Sequence, residues 1–277
     1  MAINFGVCEW GIPVTGPFAV TLAAEMGYDG LQLGDCGGSS MQYPLNNPRV
    51  QEAYQKAAAD SGMEFGSIHL RSVFQDKSID APAGSPLSEL FKTSVSNTIK
   101  AAAQMGIPEV MGAAMIRDRE LYPNVVSHLR YACQVAEDNG VVFTVETNLT
   151  NEENFRLLEE VGHGIKLCFD ACNPYLHDSG VPGEMLKEIL AKKPEIIRHY
   201  HFKDTRTEDF HIGRPAPVLM GTGGADLETQ ARMVLDSGFS GWVYSETYYF
   251  ARPLNDGGDF VGLAKEDCKR LRNLFSR

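Results

Sequence analysis

The stretch Asn139-Gly140-Val141-Val142-Phe143-Thr144-Val145-Glu146 decides how the rest of the chain is read. Gly140 suits the position just past a helix, because glycine enters the left-handed conformation without a Cβ penalty. The five residues after it are β-branched or aromatic and favour a strand. A carboxylate closes the run. The same order recurs along the chain. Met26-Gly27 precedes Gly30–Leu33, Ser61-Gly62 precedes Phe65–His69, and Met105-Gly106 precedes Val110–Ala114. Val161-Gly162 leads into Ile165–Phe169, and Ser237-Gly238 into Gly241–Ser245. Lys193-Pro194 stands before Ile196–Tyr200, and Ile3–Val7 opens the series.

Helical spacing fills the gaps. Val95, Ile99, Ala102 and Ala103 fit one helix face, Val125, Leu129, Ala132 and Ala136 another, and Phe155, Leu158 and Val161 a third. Thr150-Asn-Glu-Glu153 reads as a capping box that opens the last of these. Strands that alternate with helices imply a parallel sheet. Eight such units in 277 residues match a closed (β/α)8 barrel, which takes about 250 residues. The expected fold is therefore α/β, a single barrel domain over residues 1–277 with no linker. No Gly-x-Gly-x-x-Gly nucleotide turn follows the first strand. The long connections 34–48, 70–86 and 203–225 fall on the C-terminal rim, where barrel chemistry gathers.

Composition narrows the partners. Against 25 Lys and Arg stand 36 Asp and Glu, a net charge of −11. Nucleic-acid affinity comes mainly from cationic side chains that displace counterions, so nucleic acid is a poor partner. No apolar stretch approaches 18 residues, and no membrane span is expected. Met1–Cys8 lacks the basic and apolar regions of a signal peptide. The six cysteines are too sparse for a disulfide framework, and Cys168 and Cys172 have no second pair to make a zinc knuckle. A reduced, cytoplasmic protein is the expectation.

Four consecutive runs end in a metal-capable residue: Thr144-Val-Glu146, Cys168-Phe-Asp170, His199-Tyr-His201 and Tyr244-Ser-Glu246. Any one of them alone is as well read as a solvated strand end. Four in succession argue for convergence on one rim. Three carboxylates and an imidazole form a hard set that suits Mn2+, Mg2+ or Co2+, with Zn2+ also admissible.

These residues resemble the xylose isomerase-like barrels of the sugar phosphate isomerase/epimerase class. The likeness rests on Val145-Glu146-Thr147-Asn148, Phe169-Asp170, His201-Phe-Lys-Asp204-Thr-Arg206 and Ser245-Glu246. Gly221-Thr-Gly-Gly-Ala-Asp226 looks like that family's Gly-x-Gly-x-x-Asp turn, though an ordinary loop with Asp226 as helix N-cap reads equally well. The resemblance covers nearly the whole chain. It implies one divalent ion on Glu146, Asp170, His201 and Glu246, most simply Mn2+, with Glu146 and Glu246 as the acid/base pair. It also implies a small sugar substrate and a homo-oligomer. Glu152 matches a substrate-contacting glutamate. The chain departs where the family's epimerases carry His three residues after Asp170: Asn173 stands there, with His177 four residues further on. Their substrate-binding arginine lies one place beyond Arg206.

Other rim candidates are Trp10, whose ring suits a sugar face or plain rim packing, and His69, equally well a core histidine. Lys203 suits a substrate hydroxyl or phosphate, or a pair with Asp204. Asp35 and Gly37-Gly-Ser-Ser40 suggest a weak anion nest. His199 reads as a barrel-interior residue. The leading expectation is a metal-dependent isomerase or epimerase of a ketose. An inosose dehydratase shares its first step. An AP endonuclease-like repair enzyme needs more rim histidines than His69, His177 and His201. A non-catalytic carbohydrate-binding barrel is the fourth reading.

Overall fold

The computed structural model of the protein describes residues 2–35, 43–116, 118–212 and 216–276. Eight parallel strands close into a barrel: β1 (Ile3–Cys8), β2 (Gly30–Gly34), β3 (Ile68–Leu70), β4 (Glu109–Ala114), β5 (Val142–Thr147), β6 (Lys166–Asp170), β7 (Ile197–Phe202) and β10 (Gly241–Ser245). They follow one another round the barrel in chain order, and β10 returns to pair with β1. Between β7 and β10, the short strands β8 (Asp204–Thr205) and β9 (Pro217–Val218) make an antiparallel hairpin.

The long helices are α1 (Pro17–Glu25), α2 (Pro48–Ser61), α4 (Pro86–Met105), α5 (Tyr122–Asp138), α6 (Asn151–Val161), α8 (Pro182–Lys192), α9 (Leu227–Asp236) and α10 (Phe260–Leu274). Two single turns, α3 (Ser72–Gln75) and α7 (Asn173–Leu176), sit just beyond the ends of β3 and β6. Among the described residues, no helix is long and apolar enough to cross a membrane.

Local sequence accounts for these elements. Thr150 and Glu153 form the expected reciprocal capping box at the start of α6. Gly106 ends α4 in the left-handed region, where its N–H satisfies two of the helix's last carbonyls. The buried stripe of α4 runs through Phe91, Val95, Ile99, Ala102 and Met105, but Ala103 is exposed. One residue past Ala102 is a 100° step, which carries Ala103 off the stripe. The third strand is shorter than expected, and β7 runs on from Tyr200 to Phe202.

Backbone contacts group the chain into two compact units: Met1–Gln32 with Ala57–Glu64 and Phe169–Arg277, and Leu33–Lys56 with Phe65–Cys168. Two of the four boundaries fall inside β2 and β6, one falls inside α2, and one lies between α2 and β3. In the first unit, Tyr244 and Trp242 of β10 stack with ring centres 5.3 Å apart. Gly6 and Gly30, paired across β1 and β2, make room for them. A Cβ on Gly6 would stand 2.4 Å from Cδ1 of Tyr244, and one on Gly30 2.4 Å from the Trp242 ring. The second unit packs the inner faces of α4 and α5 around Val95, Ile99, Leu129 and Ala132, all buried.

Candidate metal and substrate site

Asp170, His201 and Glu246 come together at the C-terminal ends of β6, β7 and β10. Backbone bonds hold the three ends in step. Ala171 N–H donates to the His201 carbonyl at 2.9 Å, and Glu246 N–H donates to the Phe202 carbonyl at 2.9 Å. Each of the three side chains is buried, and each offers a ligand atom within 4.8 Å of the other two.

Every donor atom has a fixed direction. Asp170 Oδ1 accepts the backbone N–H groups of Cys172 and Asn173, both at 2.7 Å. Those donors come from the start of α7, so the turn after β6 aims the carboxylate and leaves Oδ2 for the interior. Glu246 Oε1 accepts the Trp10 indole N–H at 2.8 Å. The Lys203 ammonium lies between the two acids, 2.8 Å from Asp170 Oδ2 and in closer contact with Glu246 Oε2. His201 Nδ1 faces Glu246 Oε2 at 3.7 Å.

Burial by itself would raise the Glu246 carboxyl. The Lys203 charge, the His201 ring and the hydrogen bonds from Lys203 and Trp10 reverse that and hold it well below the usual carboxylate range. Glu246 is therefore ionised at neutral pH. Buried beside these acids, the Cys172 thiol is pushed up, and Asp170 adds to that rise. It remains a thiol. The five described cysteines, Cys8, Cys133, Cys168, Cys172 and Cys268, are unbridged and buried.

The donor chemistry fits a hard divalent ion. A compact cationic group already bridges Asp170 and Glu246, so the electrostatics of the spot call for positive charge. Lys203 does not pair with Asp204, as one reading of the sequence had it. Asp204 instead accepts backbone N–H groups from Thr205, Gly221, Gly223 and Ala225 and folds the glycine turn against itself. Gly223 is needed there, because a Cβ would lie 2.3 Å from the Asp204 carboxylate. Asp226 precedes α9 in the left-handed region, and its side chain does not cap the helix.

The remaining candidates divide. Trp10 lies in the turn after β1, within the cluster. Arg206 is exposed and pairs with Asp209 at 2.6 Å. His177 is half-buried at the end of α7. In the other unit, Glu146 is buried one residue before the end of β5, in register with Ala113. His69 is buried in β3, and Glu152 is exposed in the first turn of α6. Neither His69 nor His177 joins a cluster of three or more candidate ligands among the described residues. Asp35 accepts the Ser72 N–H at 3.1 Å, whereas Gly37-Gly-Ser-Ser40 lies outside the described residues.

A profile of the xylose isomerase-like TIM barrel family matches residues 20–274. The chain belongs to this family. The 2-epi-5-epi-valiolone 7-phosphate 2-epimerase of an Actinoplanes species is 25% identical over 238 residues, spanning 81% of this chain and 80% of that protein. Among solved structures, an L-ribulose 3-epimerase superposes with a TM-score of 0.74 at 14% identity, over 99% of this chain and 95% of its own. The IolI protein with a bound zinc atom gives 0.70 at 17% identity, over 98% and 96%. At such identities these two structures establish the shared fold.

Two residues of this xylose isomerase-like barrel escape a reading of motifs. Gln32 and Cys8 face each other in register across β1 and β2, the Cys8 thiol donating to Gln32 Oε1 at 3.2 Å. The available signal was a glutamine within an otherwise apolar run, Gly30-Leu-Gln-Leu33, on the same strand face as Gly30.

Proposed function

We propose that this protein is a divalent-metal-dependent epimerase or isomerase of a keto sugar or cyclitol ketone. The observation that carries the reading is the buried Asp170–His201–Glu246 set at three strand ends. Glu146, the penultimate residue of β5, is the fourth ligand, and Mn2+ is the first ion to try. A cation held there supplies positive charge against an oxygen that gains negative charge as the adjacent C–H bond breaks. Glu146 and Glu246 handle the proton. One carboxylate takes it from the carbon next to the carbonyl, and the other returns a proton to the opposite face to invert the centre. Return to the neighbouring carbon instead interconverts aldose and ketose.

The other side chains position and exclude. Trp10 fixes Glu246 Oε1 and offers its ring edge to the site. Lys203 keeps Glu246 ionised and is close enough to meet a substrate oxygen. His69, Glu152, His177 and Arg206 are rim contacts for substrate. The Actinoplanes relative, named as a 2-epi-5-epi-valiolone 7-phosphate 2-epimerase, supports including phosphorylated ketones among the substrates. Unbridged buried thiols are consistent with a cytoplasmic location.

The test is Mn2+-loaded protein in D2O with a panel of ketoses, inososes and cyclitol ketone phosphates. Deuterium at the carbon next to the carbonyl, with product mass otherwise unchanged, is the expected result. Glu246→Gln should lower the exchange rate by about 10²–10⁴-fold while circular dichroism stays the same. Loss of water from the product would instead make the protein a dehydratase, and full exchange by the variant would remove Glu246 from the proton path.

A further inference from the structure

Gln32 lies wholly buried near the end of β2, and its amide reaches two histidines of β7. Its Oε1 is 2.8 Å from His201 Nε2, and its Nε2 is 3.4 Å from His199 Nε2. The Cys8 thiol, which can donate only weakly, also turns toward Oε1. Both histidines are fully buried. A neutral imidazole carries one proton, and its place is set by the hydrogen bond at the other nitrogen.

We propose that Gln32 is a positioning residue that puts His201 and His199 in opposite tautomers and so aims the lone pair of His201 Nδ1 at Asp170 and Glu246. The carbonyl end of the amide accepts, so His201 carries its proton on Nε2. The amide's N–H end donates, so His199 Nε2 is the acceptor and its proton sits on Nδ1. Gln32 thus meets Nε2 of both rings, with the Cys8 sulfur also 3.9 Å from His201 Nε2, and with the amide turned round both protons would move. In that reversed state an N–H on His201 Nδ1 would point toward the Glu246 carboxylate, 3.7 Å away. The nitrogen would then have no lone pair for a cation. In ligating histidines, the hydrogen bond at the far nitrogen typically changes metal affinity by 10–100-fold. This last consequence rests on the metal site proposed above, whereas the tautomers do not.

Histidine-selective 15N labelling tests the idea in the metal-free protein. With only seven histidines in the chain, two-bond 1H–15N correlations can be assigned by substitution. The expected spectrum shows His201 as the Nε2–H form and His199 as the Nδ1–H form. Gln32→Glu offers acceptors alone, so His199 should switch to Nε2–H while His201 stays as it is. Gln32→Met should leave the His201 tautomer unfixed and weaken Mn2+ binding by 10–100-fold in calorimetry. His201 as Nδ1–H in the wild type would overturn the proposal, as would an unchanged His201 signal in Gln32→Met. If the wild type shows both tautomers as stated but binds no Mn2+, the metal reading fails and the role of Gln32 stands.

Discussion

Trp10 and Glu246 show what a single hydrogen bond does at the site. They are 236 residues apart in sequence, and the indole N–H reaches Oε1 at 2.8 Å. A bond to a charged group is worth about 1.5–3 kcal/mol when its partner would otherwise be left bare. Trp10→Phe keeps an aromatic side chain, though a smaller one, and deletes the donor. Turnover of the substrate identified in D2O should fall by about tenfold or more, with the far-ultraviolet spectrum unchanged. Turnover equal to wild type would mean that Lys203 alone holds Glu246 in place.

The turn that follows β10 illustrates control at the scale of an element. Asp267, on the inner face of α10, accepts the Met220 N–H at 2.7 Å, the Thr247 hydroxyl at 2.8 Å and the Tyr249 hydroxyl at 2.9 Å. Thr247 and Tyr249 follow Glu246 just beyond the strand end, and Ser245 bonds Tyr249 at 2.7 Å. One helix thus braces the segment from its outer side. Burial pushes the Asp267 carboxyl up to about 6, even though those three donors pull it back. The folded state therefore keeps this proton to higher pH than the unfolded chain does. Ionisation costs stability of about 3 kcal/mol above pH 6, and the cost disappears as pH falls from 6 toward 4. In urea titrations the wild type should gain on Asp267→Asn by up to that amount between pH 7 and pH 4. A difference independent of pH would show that the carboxyl titrates normally.

At the scale of the whole molecule, barrel closure depends on where side chains are missing. β1 pairs with β10 on one side and β2 on the other, so Gly6 sits where both registers cross. Gly6→Ala would drive a methyl into Tyr244, whose ring is held by stacking on Trp242. Overpacking of this kind costs about 1–3 kcal/mol. A urea midpoint lowered by that amount, with the slope preserved, is the expected result. An unshifted midpoint would show that Tyr244 can give way.

The alternation of strands and helices is written locally along the chain, because periodicity, glycine stops and the capping box of α6 act over a few neighbouring residues. Asp170, His201 and Glu246 were legible for the same reason: each closes an apolar run, and the end of a parallel strand is a fixed place in a barrel. Ala103 shows the grain of that reading, since composition marks it as apolar and only the helix's docking angle leaves it exposed. Pairing emerges only once the chain is folded. Lys203 could have met its neighbour Asp204, yet it bridges Asp170 and Glu246, 33 and 43 residues away. Gln32 looked like one polar residue in a strand until closure brought His201 to it across 169 residues. Such contacts depend on which strands become neighbours and on the direction each side chain faces after the barrel closes, and no local pattern in the chain encodes that distance.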